Sequence, residues 1–102
     1  MRRYTVQVMS KHKLLGDFLR DARINAGLSQ RDVSDRLGYQ SPQYVSNWER
    51  GLTTPPGRTL RKLADLYQIP ADELYEVILE HMFERTRENL QKDFFGRRKS
   101  KA

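Results

Sequence analysis

Only Leu28 to Leu37 separates Gly27 from Gly38, and this short stretch carries the signals of a complete helix. Ser29 stands three residues before Asp32, a pairing that satisfies exposed amides at a helix start. Val33 and Leu37 would form the buried face, and Gly38 suits the left-handed position that ends a helix. A helix of about eight residues is not stable alone in water, so a partner must follow at once. Ser41-Pro42 announces that partner, with serine as cap and proline at the first helical position, where no amide hydrogen is lost. The chain is thus committed to short helices that bury one another.

The flanking segments read the same way. Leu14, Leu15, Phe18, Leu19 and Ala22 recur at three and four residues and draw one stripe along a first helix that closes at Gly27. In the third helix, Ser41 to Arg50, Val45 and Trp48 point inward while Gln43, Tyr44, Ser46 and Asn47 lie on other faces, and Gly51 is the stop. After the turn-rich Thr53 to Gly57, Leu60, Leu63, Ala64 and Tyr67 mark a fourth helix. Pro70 opens a fifth, which runs through Leu74, Ile78, Met82, Thr86 and Leu90 with no glycine or proline before Gly96. At roughly 25 residues, or about 37 Å, it is longer than a five-helix domain needs. Its apolar positions Ile78, Met82, Thr86 and Leu90 are expected to be exposed. Before the first helix, Tyr4, Val6 and Val8 alternate with polar residues as a strand would. That arm could pair with its copy in a dimer, lie along the domain or be disordered. The reading is an all-α domain over residues 14–80, with a basic arm at 1–13 and a helical extension and basic tail at 81–102.

Composition narrows the function. The chain of 102 residues has a net charge of +6, unevenly placed. Residues 1–13 and 97–102 each carry +4 with no acid, residues 14–62 carry +3, and residues 63–96 carry −5. A basic first half backed by an acidic second half would orient the molecule against phosphates, with solubilising tails as the bland alternative for the C-terminal end. With no cysteine there is no disulfide framework, thiolate metal site or cysteine nucleophile. No segment is apolar enough for a membrane span or signal core, so a cytoplasmic location is expected. No phosphate-binding glycine loop, HExxH or nucleophile with its base is present, and His12 and His81 stand isolated, each expected at the surface or an interface. An enzyme is not expected, nor a metal or cofactor.

The run Leu15-Gly16-Asp17-Phe18-Leu19-Arg20, then Arg23, Gly27-Leu28-Ser29-Gln30, Val45 to Gly51 and Pro56 closely resembles the phage-repressor and Cro type of helix-turn-helix domain, the xenobiotic-response-element family. The likeness extends roughly from Leu14 to Leu79. It implies a five-helix, lambda-repressor-like fold with an extended C-terminal helix, and a transcriptional regulator, most often a repressor, that binds double-stranded DNA. It also implies that Arg23 and Glu49 form a structural ion pair between the first and third helices. Two departures stand out. Ser34 replaces the family's usual alanine inside the second helix, which a hydroxyl can tolerate by bonding a backbone carbonyl. Gly38 to Pro42 reads one residue longer than the usual turn, which could shift the third helix against DNA and bring Gln40 to the contact surface. Pro42 also occupies a position that often reads a base in relatives.

In such a motif the second of two short helices enters the major groove, and side chains near its start read base edges. Gln43 and Asn47, four apart, carry amides suited to paired hydrogen bonds with purines. The resemblance places Gln43, Tyr44 and Asn47 toward bases, although Tyr44 could instead stack on a sugar or support the turn. Phosphates are expected at Gln30, where free amides and the helix dipole favour an anion, and at Ser41 and Arg50, with Arg31, Arg58 and Arg61 as further candidates. A homodimer would match a two-fold operator, with the fifth helix as interface. The other reading is a protein-interaction module of the same fold, such as the antitoxin of a toxin and antitoxin pair, with a protein partner on the fifth helix.

Overall fold

The computed structural model describes residues 14–96, and the expected strand of the arm and the basic tail lie outside them. Five α-helices follow in order: α1 Leu14–Asn25, α2 Gln30–Leu37, α3 Gln43–Glu49, α4 Gly57–Tyr67 and α5 Ala71–Gln91, with a π-helical turn at Lys92–Gly96. No strand occurs among the described residues.

The expected stripe of α1 is the central wall of the core. Leu14, Leu15, Phe18, Leu19 and Ala22 are all buried, and α1 packs against α3, α4 and α5. Val33 from α2, Val45 and Trp48 from α3, Leu60, Leu63, Ala64 and Tyr67 from α4, and Leu74 and Val77 from α5 close around it. Burying a side chain such as Leu19 or Leu63 contributes about 1.5–3 kcal/mol, so it is this shared core, rather than helix propensity, that holds α2 and α3 in place.

The helix ends are built largely as their residues suggest. Ser29 Oγ accepts from the Asp32 amide at 2.9 Å, and the Asp32 carboxylate accepts from the Ser29 amide at 2.9 Å. The Ser29 amide, with the Ser29 hydroxyl beside it, holds the Asp32 carboxyl below its ordinary value of 3.8. Gly38 ends α2 at a φ of 85°, and the Tyr39 amide turns back to the Ser34 carbonyl at 3.0 Å. Ser41 Oγ accepts from the Gln43 amide at 3.0 Å, but the N-cap of α3 is Pro42 rather than the expected Ser41, because the Pro42 carbonyl accepts the first helical bond, from Ser46, and the regular span is shorter than the expected Ser41 to Arg50. At the end of α4 the left-handed position is held by Gln68, at a φ of 58°, where no glycine signals it.

Two expectations are corrected on α5. Ile78 is half-buried and packs against the core, because it lies between the inward-facing Leu74 and His81 on the helix surface. His81 is buried at 4% exposure, neither a surface nor an interface residue within this chain. Burial, then Arg85, pushes its pKa down, and its Nδ1 has no hydrogen-bond partner among the described residues. Beyond His81 no residue of α5 or the π-helical turn is buried, so the helix leaves the core there. Its exposed apolar residues are Tyr75, Leu79, Met82, Phe83 and Leu90, joined by Phe94 and Phe95. No helix among the described residues is long and apolar enough to cross a membrane.

Candidate nucleic-acid interface

Helix α3 is fixed on its inner side by three devices, each of which depends on a particular residue. Trp48 and Val45 are buried in the core. Gly16 lets α1 come against the end of α3, since a Cβ there would stand 2.6 Å from the Glu49 carbonyl oxygen and 2.8 Å from that of Trp48. The carboxylate of Glu49, 5% exposed, lies beneath Arg23. Arg23 donates from Nε to Glu49 Oε2 at 2.7 Å and from Nη2 to Oε1 at 3.1 Å, and its Nη1 donates to the Leu28 carbonyl at 2.9 Å. The hydrogen bonds to Glu49 outweigh desolvation and raise the Arg23 pKa further above its ordinary value, so the guanidinium stays charged. Tyr67, buried beside this pair, has its phenol pushed up by desolvation and by the Glu49 charge.

The outer side of α3 carries the residues expected to read bases. Gln43 and Tyr44 are exposed and Asn47 is half-buried. Gln43 Nε2 donates to Asn47 Oδ1 at 3.0 Å, and Arg50 Nη2 donates to the same oxygen at 3.1 Å. The three side chains therefore form one connected polar edge, with two amides and a guanidinium along a single helix face. Such groups complement the N7, O6 and N6 edges of purines in a major groove.

The remaining candidates are less uniform. Tyr44 is 52% exposed, yet its ring stacks on Tyr39 with centroids 4.6 Å apart and planes 26° apart, and Tyr39 meets Trp48 edge-on at 5.8 Å. The tyrosine is thus attached to the turn as well as facing outward. Ser41 is half-buried, with its hydroxyl already accepting from the Gln43 amide. Gln30 is turned inward, its Nε2 donating to Glu49 Oε1 at 2.9 Å, so any anion it meets would be held by the start of α2 rather than by that amide. Arg58 is exposed in the first turn of α4, and Arg31 and Arg61 are exposed on α2 and α4. Tyr39 was not singled out in sequence; an aromatic residue just after a helix-ending glycine, five residues before another tyrosine, was the available signal. Among the described residues no cluster of three or more His, Asp or Glu could hold a metal ion.

The family model for helix-turn-helix domains matches residues 19–74. An uncharacterized HTH-type transcriptional regulator of Mycobacterium tuberculosis is 37% identical over 60 residues, covering 59% of this chain and 42% of the relative. The HTH-type transcriptional regulator ImmR of Bacillus subtilis is also 37% identical over 60 residues, covering 59% of this chain and 46% of its own length. The cryptic phage CTXphi transcriptional repressor RstR of Vibrio cholerae is 34% identical over 56 residues, covering 55% of this chain and 50% of its own. The alignments thus span half or less of each of these relatives. No solved structure gave a significant match. With the family model covering more than half of its residues on the same helices that build the polar edge, this chain belongs to the helix-turn-helix family of the XRE, phage-repressor type.

Proposed function

We propose that the protein is a sequence-specific DNA-binding transcriptional regulator, of the repressor kind, that inserts α3 into the major groove. The observation that carries this reading is the two-sidedness of α3. Its inner face is locked by Gly16, Trp48 and the Arg23–Glu49 pair, while Gln43, Asn47 and Arg50 form a connected polar edge outside. A rigid support behind exposed amides suits base reading, because a mobile helix would lose discrimination to conformational averaging. Relatives named as transcriptional regulators and as a phage repressor support the same direction. A regulator of chromosomal or phage DNA would act in the cytoplasm. In this reading Gln43, Tyr44 and Asn47 contact bases, and Ser41, Arg50, Arg58 and the amides at Gln30 contact phosphates.

The protein acts as a homodimer in this proposal, so that two α3 helices meet half-sites one turn of DNA apart. Tyr75, Leu79, Met82, Phe83 and Leu90 recur at helical spacing on the exposed face of α5, which supports that face as the interface. The same face favours the second reading, a module that binds a different protein, as an antitoxin does. The experiment that tests base reading begins with duplexes selected from a randomised pool by the wild-type protein. Gln43→Ala and Asn47→Ala are expected to weaken binding to the selected duplex by about 1–3 kcal/mol each while barely changing affinity for random DNA. Equal losses on both would remove these residues from base readout.

A further inference from the structure

Ser34 sits in the middle of α2 at 1% exposure, and it does not bond back into its own helix as a buried serine commonly does. Its hydroxyl crosses the turn and donates to the Ser41 carbonyl at 2.8 Å. Its carbonyl meanwhile accepts from the Tyr39 amide at 3.0 Å. One residue thereby anchors both sides of Gln40, and Gln40 itself is exposed. At the second anchor, Ser41 Oγ in turn accepts from the Gln43 amide at the start of α3. Tyr39 continues the attachment on the aromatic side, standing between Tyr44 and Trp48.

Resting on the DNA-binding reading above, we infer that Ser34 and Tyr39 are positioning residues for specificity: they set the register in which the first turn of α3, with Gln43 and Tyr44, is presented to the bases. Neither needs to touch DNA. The buried hydroxyl has the Ser41 carbonyl as its near acceptor and the Tyr39 carbonyl at 3.5 Å as a second, both on this turn, whereas an alanine at the same place would pack as well and leave the turn unpinned. Asn47 lies a full turn further along α3; its Oδ1 accepts from both Gln43 and Arg50, but its backbone is held between the buried Val45 and Trp48, so its position depends less on this anchor. Loosening the anchor therefore changes which base pairs are read at one end of the site, without changing the charge that meets the backbone.

The test uses the full chain, duplexes selected from a randomised pool by the wild-type protein, and random duplexes of equal length. Ser34→Ala is expected to lose about tenfold in the ratio of selected to random affinity, the discrimination that one amide–base pair supplies. Its affinity for random DNA and its salt slope stay at wild-type values. The loss falls on the base pairs whose preference Gln43→Ala also relaxes, and spares those relaxed by Asn47→Ala. Tyr39→Leu, which keeps apolar volume but loses the stack, behaves in the same way, and Tyr39→Phe matches the wild type. Should Ser34→Ala fail to fold, judged by circular dichroism at the assay temperature, Tyr39→Leu decides. A folded Ser34→Ala or Tyr39→Leu protein with an unchanged ratio, or with equal losses on selected and random DNA, overturns the inference and leaves the DNA reading intact. A wild-type protein that selects no sequence at all overturns both.

Discussion

Replacing Arg23 by alanine isolates what the buried ion pair does for the fold. In the native protein the pair is nearly dry, with side-chain exposures of 11% for Arg23 and 3% for Glu49. Arg23→Ala removes two charge-assisted bonds to Glu49 and the bond to the Leu28 carbonyl, and leaves the carboxylate with the Gln30 amide. Breaking a buried pair from one side costs about 3–5 kcal/mol, because the surviving charge keeps its desolvation penalty. Small domains are stable by only about 5–15 kcal/mol, so this one change would consume a large fraction of the total. Trp48, the chain's one tryptophan and itself buried, reports unfolding by its fluorescence. At a slope of about 1–2 kcal/mol per molar urea, the midpoint should fall by roughly 1.5–5 M. The double variant Arg23→Met, Glu49→Leu should recover most of the loss, since apolar side chains of similar size remove the stranded charge. A loss below about 1 kcal/mol for Arg23→Ala, the range of a solvated surface pair, would refute the account of Glu49 as a buried charge dependent on its partner.

Gly16→Ala should destabilise the domain by about 1–3 kcal/mol by forcing α1 away from the carbonyls of Trp48 and Glu49, a shift that differential scanning calorimetry would read as a lowered Tm; an unchanged Tm would show that α1 can move at no cost. His81 should make the fold acid-sensitive. Its folded pKa is depressed below the ordinary 6.5, so its contribution is complete above that value and is lost as the pH falls through the depressed one. Urea midpoints measured from pH 7.5 down to pH 5 should drop more steeply for the wild type than for His81→Leu, and parallel curves would contradict this. Met82→Lys with Phe83→Lys should convert the proposed dimer to a monomer in analytical ultracentrifugation while leaving the urea midpoint of the monomer in place, both residues being exposed. A wild-type protein that sediments as a monomer at tens of micromolar, with and without DNA, would remove the dimer.

The order and kind of the helices were legible in the chain because local signals and core burial agree at each step. The stripe from Leu14 to Ala22, the Ser29 and Asp32 cap, and the Gly27, Gly38 and Gly51 stops each act within a turn or two of the backbone. The end of α4 was less visible, since Gln68 takes a left-handed conformation that its side chain does not announce. On α5 the periodicity marks the helix, and Met82, Thr86 and Leu90 are exposed as expected, but Ile78 is not. An apolar row every four residues drifts around an α-helix, so Ile78 falls toward the core while Tyr75, Leu79 and Phe83 emerge with Met82 and Leu90.

The candidate site divides along the same line. That amides and an arginine share the outer face of α3 follows from their spacing alone, because a helix returns to the same side every three to four residues. The inward turn of the Gln30 amide, the stack of Tyr44 on Tyr39 and the reach of Ser34 to Ser41 were decided only when α1, α2 and α3 closed on one another, whereas the connection of Gln43 and Arg50 through Asn47 Oδ1 is local to α3. Sequence determines what lies within one helical turn, where backbone geometry leaves a single arrangement. Contacts across the turn and between helices depend on packing directions and distances that no local pattern encodes, and there the folded core made the choice.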